Sequence, residues 1–231
     1  MKHSLKQQGK RIEGIMIRKV SERDNTIIND IVDIHLATFD GFFLTFMGRG
    51  FLRQMYMSYT EHGESDIFIA MDDDKVIGFL ACSKDMSGLY KYMIRHRLIQ
   101  FAWYSLGAFL RKPKVFMRLV RAFLKPGESK RDEKYIELAS IGVHPAAKAK
   151  GIGSLLIDTL KKDVDFTEFE YITLETDAID NEIANRFYVK NGFYAVREFE
   201  THEGRKMFEY RYAGGKSIET SLHTECSQAG Q

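Results

Sequence analysis

The chain has 231 residues, 44% of them hydrophobic and 13% aromatic, enough for one domain with a sizeable core or one domain carrying an insertion. A net charge of +2 and the lack of any nucleic-acid reading motif give little electrostatic reason for binding nucleic acid. Two cysteines, Cys82 in an apolar run and Cys226 near the polar C-terminus, supply neither a disulfide framework nor the paired spacing of a zinc site. The expected setting is therefore the reducing cytoplasm, with no metal.

The start MKHSLKQQGKR leads into no apolar run of the kind a secretory signal needs, and residues 1–13 read as an extension. A domain is expected over 14–213. GIMIRKV at 14–20 has the composition of a strand, and Ser21 to Asp24 supply caps for a helix carrying Ile27, Ile28, Ile31, Ile34 and Leu36. A loop and a second helix follow from Phe39 to Tyr59. DIFIAM and KVIGFLACS then flank the turn Asp72–Asp73–Asp74 as a hairpin.

Residues 86–132 form a basic helical insertion between the third and fourth expected strands. From Met86 to Gly127 the chain has nine basic residues and no acidic one, so the remainder carries 2 − 9 = −7. A first helix is expected over about 90–110, apolar through Phe101, Trp103, Phe109 and Leu110. A second opens at Pro113, with Lys114, Arg118, Arg121 and Lys125 on one side and Val115, Phe116, Leu119, Val120, Phe123 and Leu124 on the other. This segment reads first as a cover for the core, then as the roof over an anionic substrate, and third as contact with an anionic membrane surface. Its longest uncharged apolar run, Leu98 to Leu110, falls short of the roughly 20 residues a spanning helix requires.

After the insertion come the strand YIELASIGV, a glycine turn, a helix over about 151–162, the strand YITLET, a helix over about 181–190 and two closing strands, FYAVREFE and KMFEYRYA. This order calls for an α/β (α+β) fold: a mixed, mostly antiparallel sheet with helices on both faces. From Gly214 onward the small, polar sequence reads as a disordered tail.

The most informative stretch runs from Val143 to Ile157: strand, Pro145, then glycines opening an apolar helix. Free N–H groups at a helix N-terminus form a site for phosphate. Gly151 and Gly153 remove Cβ atoms that would hold a pyrophosphate away, and Lys148 and Lys150 add charge. Neither the Walker pattern nor the dinucleotide fingerprint is present.

Two motifs in order, Lys148-Ala149-Lys150-Gly151-Ile152-Gly153 and Asn181 through Phe193, make the chain resemble the GNAT (Gcn5-related N-acetyltransferase) superfamily. The family's turn is Gln/Arg-x-x-Gly-x-Gly/Ala, and the lysine here departs from it while keeping the charge. The resemblance implies acetyl-CoA lying in a V-shaped opening between two parallel strands. The strand Ile141-Gly142-Val143 would be its edge, with the backbones of Ile141 and Val143 bonding the acetyl and pantetheine carbonyls. The amides of Lys148, Ala149, Lys150, Gly151, Ile152, Gly153 and Ser154 would hold the pyrophosphate. Asn181 would touch the pantetheine arm or simply cap its helix.

Acetyl transfer from a thioester to an amine needs a base, an oxyanion donor and an acid for the thiolate. Glu137, which by strict alternation shares a face with Ala139, Ile141 and Val143, is the candidate base, its pKa raised by that apolar setting. The resemblance makes Tyr188 the acid, and the N–H of Ile141 is the expected oxyanion donor. The activity expected is N-acetylation of a primary amine on a small molecule, anionic or sugar-linked. The alternatives are a protein N-terminal or lysine acetyltransferase and a non-catalytic acyl-CoA-binding module; a homodimer stays open.

Overall fold

A computed structural model describes residues 10–12, 14–21, 23–39, 43–111, 113, 133–147, 150–201 and 204–215. Its strands are β1 (Lys10–Ile12), β2 (Ile15–Lys19), β3 (Ser65–Asp72), β4 (Lys75–Ser83), β5 (Tyr135–Val143), β6 (Tyr171–Asp177), β7 (Tyr194–Glu200) and β8 (Lys206–Tyr212). The described helices are α1 (Asn25–Thr38), α2 (Phe43–Met47), α3 (Arg49–Glu61), α4 (Met86–Arg111), α5 (Ile152–Asp163) and α6 (Glu182–Lys190).

Local chemistry sets several of these boundaries. The Asp24 carboxylate accepts from the N–H groups of Thr26 and Ile27 and so opens α1. Gly48, at φ +90°, separates α2 from α3 in a conformation a side chain would resist. The β3–β4 turn is carried by Asp73 at φ 50°, one of the few residue types that tolerate the left-handed region.

All strands join one eight-stranded sheet in the order β1-β2-β3-β4-β5-β6-β8-β7. Every pairing is antiparallel except β5 with β6. One face packs Ile17, Leu80, Ile136, Leu138 and Leu174 against Leu156, Ile157 and Leu160 of α5 and Tyr188 of α6. The other packs Ile67, Ile69, Phe79 and Ala81 against α1, α3 and α4 through Ile28, Ile31, Leu52, Tyr56 and Leu89. At roughly 1.5–3 kcal/mol per fully buried large side chain, these two layers dominate the stability.

The expected fold class is the observed one. The sheet takes in Lys10–Ile12 as an edge strand, earlier than the expected start at residue 14, so the insertion follows the fourth strand rather than the third. The closing strands also exchange places: β8 inserts between β6 and β7. Helix α4 runs from Met86, while the expected second basic helix after Pro113 and the tail beyond Gly215 lie outside the described residues. Among the described residues no helix is long and apolar enough to cross a membrane.

Candidate active site

Strands β5 and β6 run parallel and pair only at Tyr135↔Tyr171, Ile136↔Ile172 and Glu137↔Thr173. Beyond that rung β5 stays with β4 as far as Val143 and β6 stays with β8 as far as Asp177. The two strands therefore splay, and a V opens between them. His144 donates its N–H to the Ile77 carbonyl of β4 at 2.9 Å, which fixes the alternation along β5. Peptide groups of Gly142 consequently face β4, and those of Ile141 and Val143 face the opening. The Val143 carbonyl accepts from the Thr38 hydroxyl at 3.3 Å, tying the end of α1 to this edge. Gly142 offers no peptide group to the opening; a Cβ there would stand 2.8 Å from the Phe79 ring, so its place is in the packing.

The expected surroundings of Glu137 are corrected by a bulge. Ala81 pairs with Ser140 and Cys82 with Leu138, leaving Ala139 as an extra residue in β5. One inserted residue reverses the alternation. Ile136 and Leu138 before it, and Ile141 and Val143 after it, therefore all pack on the α5 face. Glu137 and Ser140 lie on the opposite face, with α1, α3 and α4, so Glu137 shares nothing with Ile141 or Val143.

On that face the structure gathers residues the sequence reading did not single out. Tyr56 of α3 lies 3.3 Å from the Ser140 hydroxyl and 2.7 Å from Nδ1 of His35 on α1. Burial drives the Tyr56 hydroxyl pKa upward and that of His35 down to about 4, so both are neutral at physiological pH. Tyr59 and Tyr90 are held protonated by burial first and then by neighbouring charge, Glu137 acting on both and Glu175 on Tyr90. Tyr56 and Tyr59 stand at helical i, i+3 spacing, which the sequence does show; their convergence with Tyr90 of the insertion is set by tertiary packing.

At the wide end of the V, Gly151 adopts φ +71° as the residue before α5, and a Cβ on it would meet nothing within 4 Å. The first N–H groups of α5, on Ile152, Gly153 and Ser154, have no carbonyl of their own helix to bond. Among the described residues no side chain caps them. Lys150 sits 3.9 Å from the Asp72 carboxylate, and Lys148 and Ala149 lie outside the described residues. His144 accepts from the Ala146 N–H at 3.3 Å, a structural role at the strand end.

Tyr188 stands on α6 among Phe187, Phe193 and Tyr210, ring centroids 5.4 to 6.0 Å away. The end of α6 is pinned by Gly192 at φ +74°, by Asn191 Nδ2 on the Phe187 carbonyl at 2.8 Å, and by Lys161, which reaches the Asn191 carbonyl. Burial pushes the Tyr188 phenol up to about 12, which keeps it a proton donor. Asn181 occupies the N-cap position without making a cap bond. Its amide instead donates to the Thr176 hydroxyl at 2.7 Å and the Asp177 carbonyl at 3.2 Å.

The model for the Acetyltransferase (GNAT) family matches residues 28–193, well over half of the chain. The chain belongs to the GNAT acetyltransferase family. Among curated proteins, none matches it. Solved structures of similar fold include a GNAT-family acetyltransferase from Desulfovibrio desulfuricans, at 17% identity and TM-score 0.56, covering 87% of this chain and 99% of that one. The ribosomal-protein-S18-alanine N-acetyltransferase from Escherichia coli is 13% identical with TM-score 0.53, covering 89% and 98%. Arabidopsis thaliana NAA60, solved with acetyl-CoA, is 15% identical with TM-score 0.51, covering 86% and 98%. At such identities the likeness is one of fold. As a member of this acetyltransferase family the protein takes its acyl group from acetyl-CoA. The residues present fit it: an unpaired strand edge for an extended arm, and open space over Gly151 where a phosphate can approach backbone amides.

Proposed function

We propose that this acetyltransferase acetylates the primary amine of a small molecule by direct transfer. The observation that carries the reading is the V itself, with the β5 edge at Ile141 and Val143 facing it on one wall and a protonated phenol, Tyr188, from the helix beside it. Ile152, Gly153 and Ser154 hold the pyrophosphate through backbone amides, with Lys148, Ala149, Lys150 and Gly151 completing the turn and Asn181 against the pantetheine arm. Bound acetyl-CoA supplies an activated thioester. Glu137 takes the proton of the attacking amine, the Ile141 N–H faces the oxygen on which charge develops, and Tyr188 gives its proton to the sulfur as the C–S bond breaks.

Two features support a small acceptor carrying positive charge. Glu137 and Glu175 both act electrostatically on Tyr90, which puts two carboxylates near the acceptor side. Helix α4 packs on α3 and brings Tyr90 over that side, narrowing it.

The names of the Escherichia coli neighbour and its like make a protein amine the second reading. A panel of diamines, amino sugars and short peptides, followed by release of free CoA thiol, separates them. Turnover of small amines, lost in Tyr188→Phe, supports the proposal. Turnover of peptides alone overturns the acceptor class, and acetyl-CoA binding without turnover of any amine leaves an acyl-CoA-binding module.

A further inference from the structure

A cavity of about 430 Å³ lies between α3 and α4, lined by Arg23, Arg53, Gln54, Glu61, His96 and Arg97 among others. Three guanidinium groups meet one carboxylate there, a local charge of 3 − 1 = +2. The carboxylate is already engaged. Glu61 Oε2 takes Arg97 and the Tyr92 hydroxyl, the latter at 3.1 Å, and Oε1 lies 3.7 Å from Arg23.

The cations are less well matched. Arg97 is 8% exposed and donates from Nη1 to Gln54 at 2.5 Å, yet its buried Nε finds no hydrogen-bond partner among the described residues. Arg53 bonds only the neutral Asn25 side chain, at 3.0 Å, with no carboxylate opposite it among the described residues. The His96 ring is held by its Nδ1, which donates to the Tyr92 carbonyl at 3.0 Å, and is stacked on Tyr92 at 4.2 Å.

We infer that this cavity is a binding site for a small oxyanion of charge about −2, a phosphoryl or dicarboxylate group, separate from the acetyl-CoA opening. Guanidinium groups that converge on a concave surface are suited to planar or tetrahedral oxygens, which they grip with paired N–H donors. The separation follows from helix geometry. On α3, Arg53, Gln54, Met57 and Glu61 fall within about 100° of one another, Tyr59 projects from the opposite side, and Tyr56 turns away toward Ser140 of β5. Neither the glycine turn nor the β5 edge contributes to the lining. An anion here would tie α3 to α4, the helices that carry Tyr56, Tyr59 and Tyr90.

The test is calorimetric titration of the full chain with inorganic phosphate and, in a second arm, malonate, at constant ionic strength held with chloride. The wild type and Gly151→Asp, in which the turn is made repellent to anions, are titrated side by side. The expected result is binding in both, with Kd raised at least tenfold when Arg23→Gln and Arg53→Gln are introduced into the Gly151→Asp chain. Both arginines are at the surface, and circular dichroism checks that the variant is folded. Preference for phosphate over malonate assigns a phosphoryl ligand, the reverse a dicarboxylate. Binding abolished by Gly151→Asp alone, binding indifferent to the two arginines, or no binding of either anion would each overturn the site.

Discussion

The ring of Phe187 lies 3.0 Å from where a Cβ on Gly153 would stand. The first turn of α5 and the middle of α6 are thus pressed together, and Phe187 is the neighbour of Tyr188 in chain and in space. Gly153→Val would push the ring and, through it, the phenol. Overpacking of this kind costs about 1–3 kcal/mol, and a β-branched residue regains little of it in helix propensity. Thermal or denaturant unfolding is expected to show that loss, with less of it in a Phe187→Leu background. Additive effects of the two changes would mean that the contact is relieved by the backbone.

Gly151 presents the opposite case, φ +71° with open space around its missing Cβ. Asp and Asn both tolerate the left-handed region, at a strain of about 1 kcal/mol, so both variants should fold. They differ in charge. Acetyl-CoA affinity is expected to fall at least tenfold in Gly151→Asp and clearly less in Gly151→Asn, measured by calorimetry. Equal losses would assign the effect to backbone strain and not to repulsion of a phosphate.

The turn, the Asp24 cap and the strand Tyr135–Val143 were legible in the sequence because each is written in a few adjacent residues whose backbone needs are local. The bulge at Ala139 was not: it is defined by which residues of β4 lie opposite, and no pattern within YIELASIGV announces it. That single residue decides which face Glu137 occupies. The convergence of His35, Tyr56, Ser140 and Tyr90 was hidden for the same reason, as each comes from a different element. The strand order β6-β8-β7 likewise depends on long-range pairing, and strands as close in sequence as β7 and β8 cannot report which of them sits inside.

Tyr188 has no hydrogen bond to its hydroxyl among the described residues, so Tyr188→Phe is expected to leave stability within about 0.5 kcal/mol of wild type. Its rate should fall by roughly ten- to ten-thousandfold with acetyl-CoA affinity little changed. Because burial raises the phenol to about 12, its proton stays in place across the neutral range, and any loss of rate between pH 7 and 9 must come from another group. Glu137→Gln should remove the acidic limb of the rate–pH profile. Full activity in both variants would transfer the chemistry to other residues.

His35 makes acid the natural stress for this fold. Its ring is 3% exposed, Nδ1 is 2.7 Å from the Tyr56 hydroxyl, and the buried Nε2 has no partner among the described residues. Burial lowers its pKa from 6.5 to about 4. The folded state therefore binds the proton more weakly than the unfolded chain does. Where the unfolded state holds more protons, stability rises with pH. The contribution of His35 is complete above about pH 6.5 and is lost progressively as pH falls toward 4, on the order of 3 kcal/mol in all. Denaturant titrations at pH 7.5, 6, 5 and 4.5 should show that decline in the wild type. His35→Gln, which can still bond Tyr56 but does not titrate, should start less stable at pH 7.5 and decline more gently. A variant whose stability falls as steeply as that of the wild type would place the acid-sensitive group elsewhere.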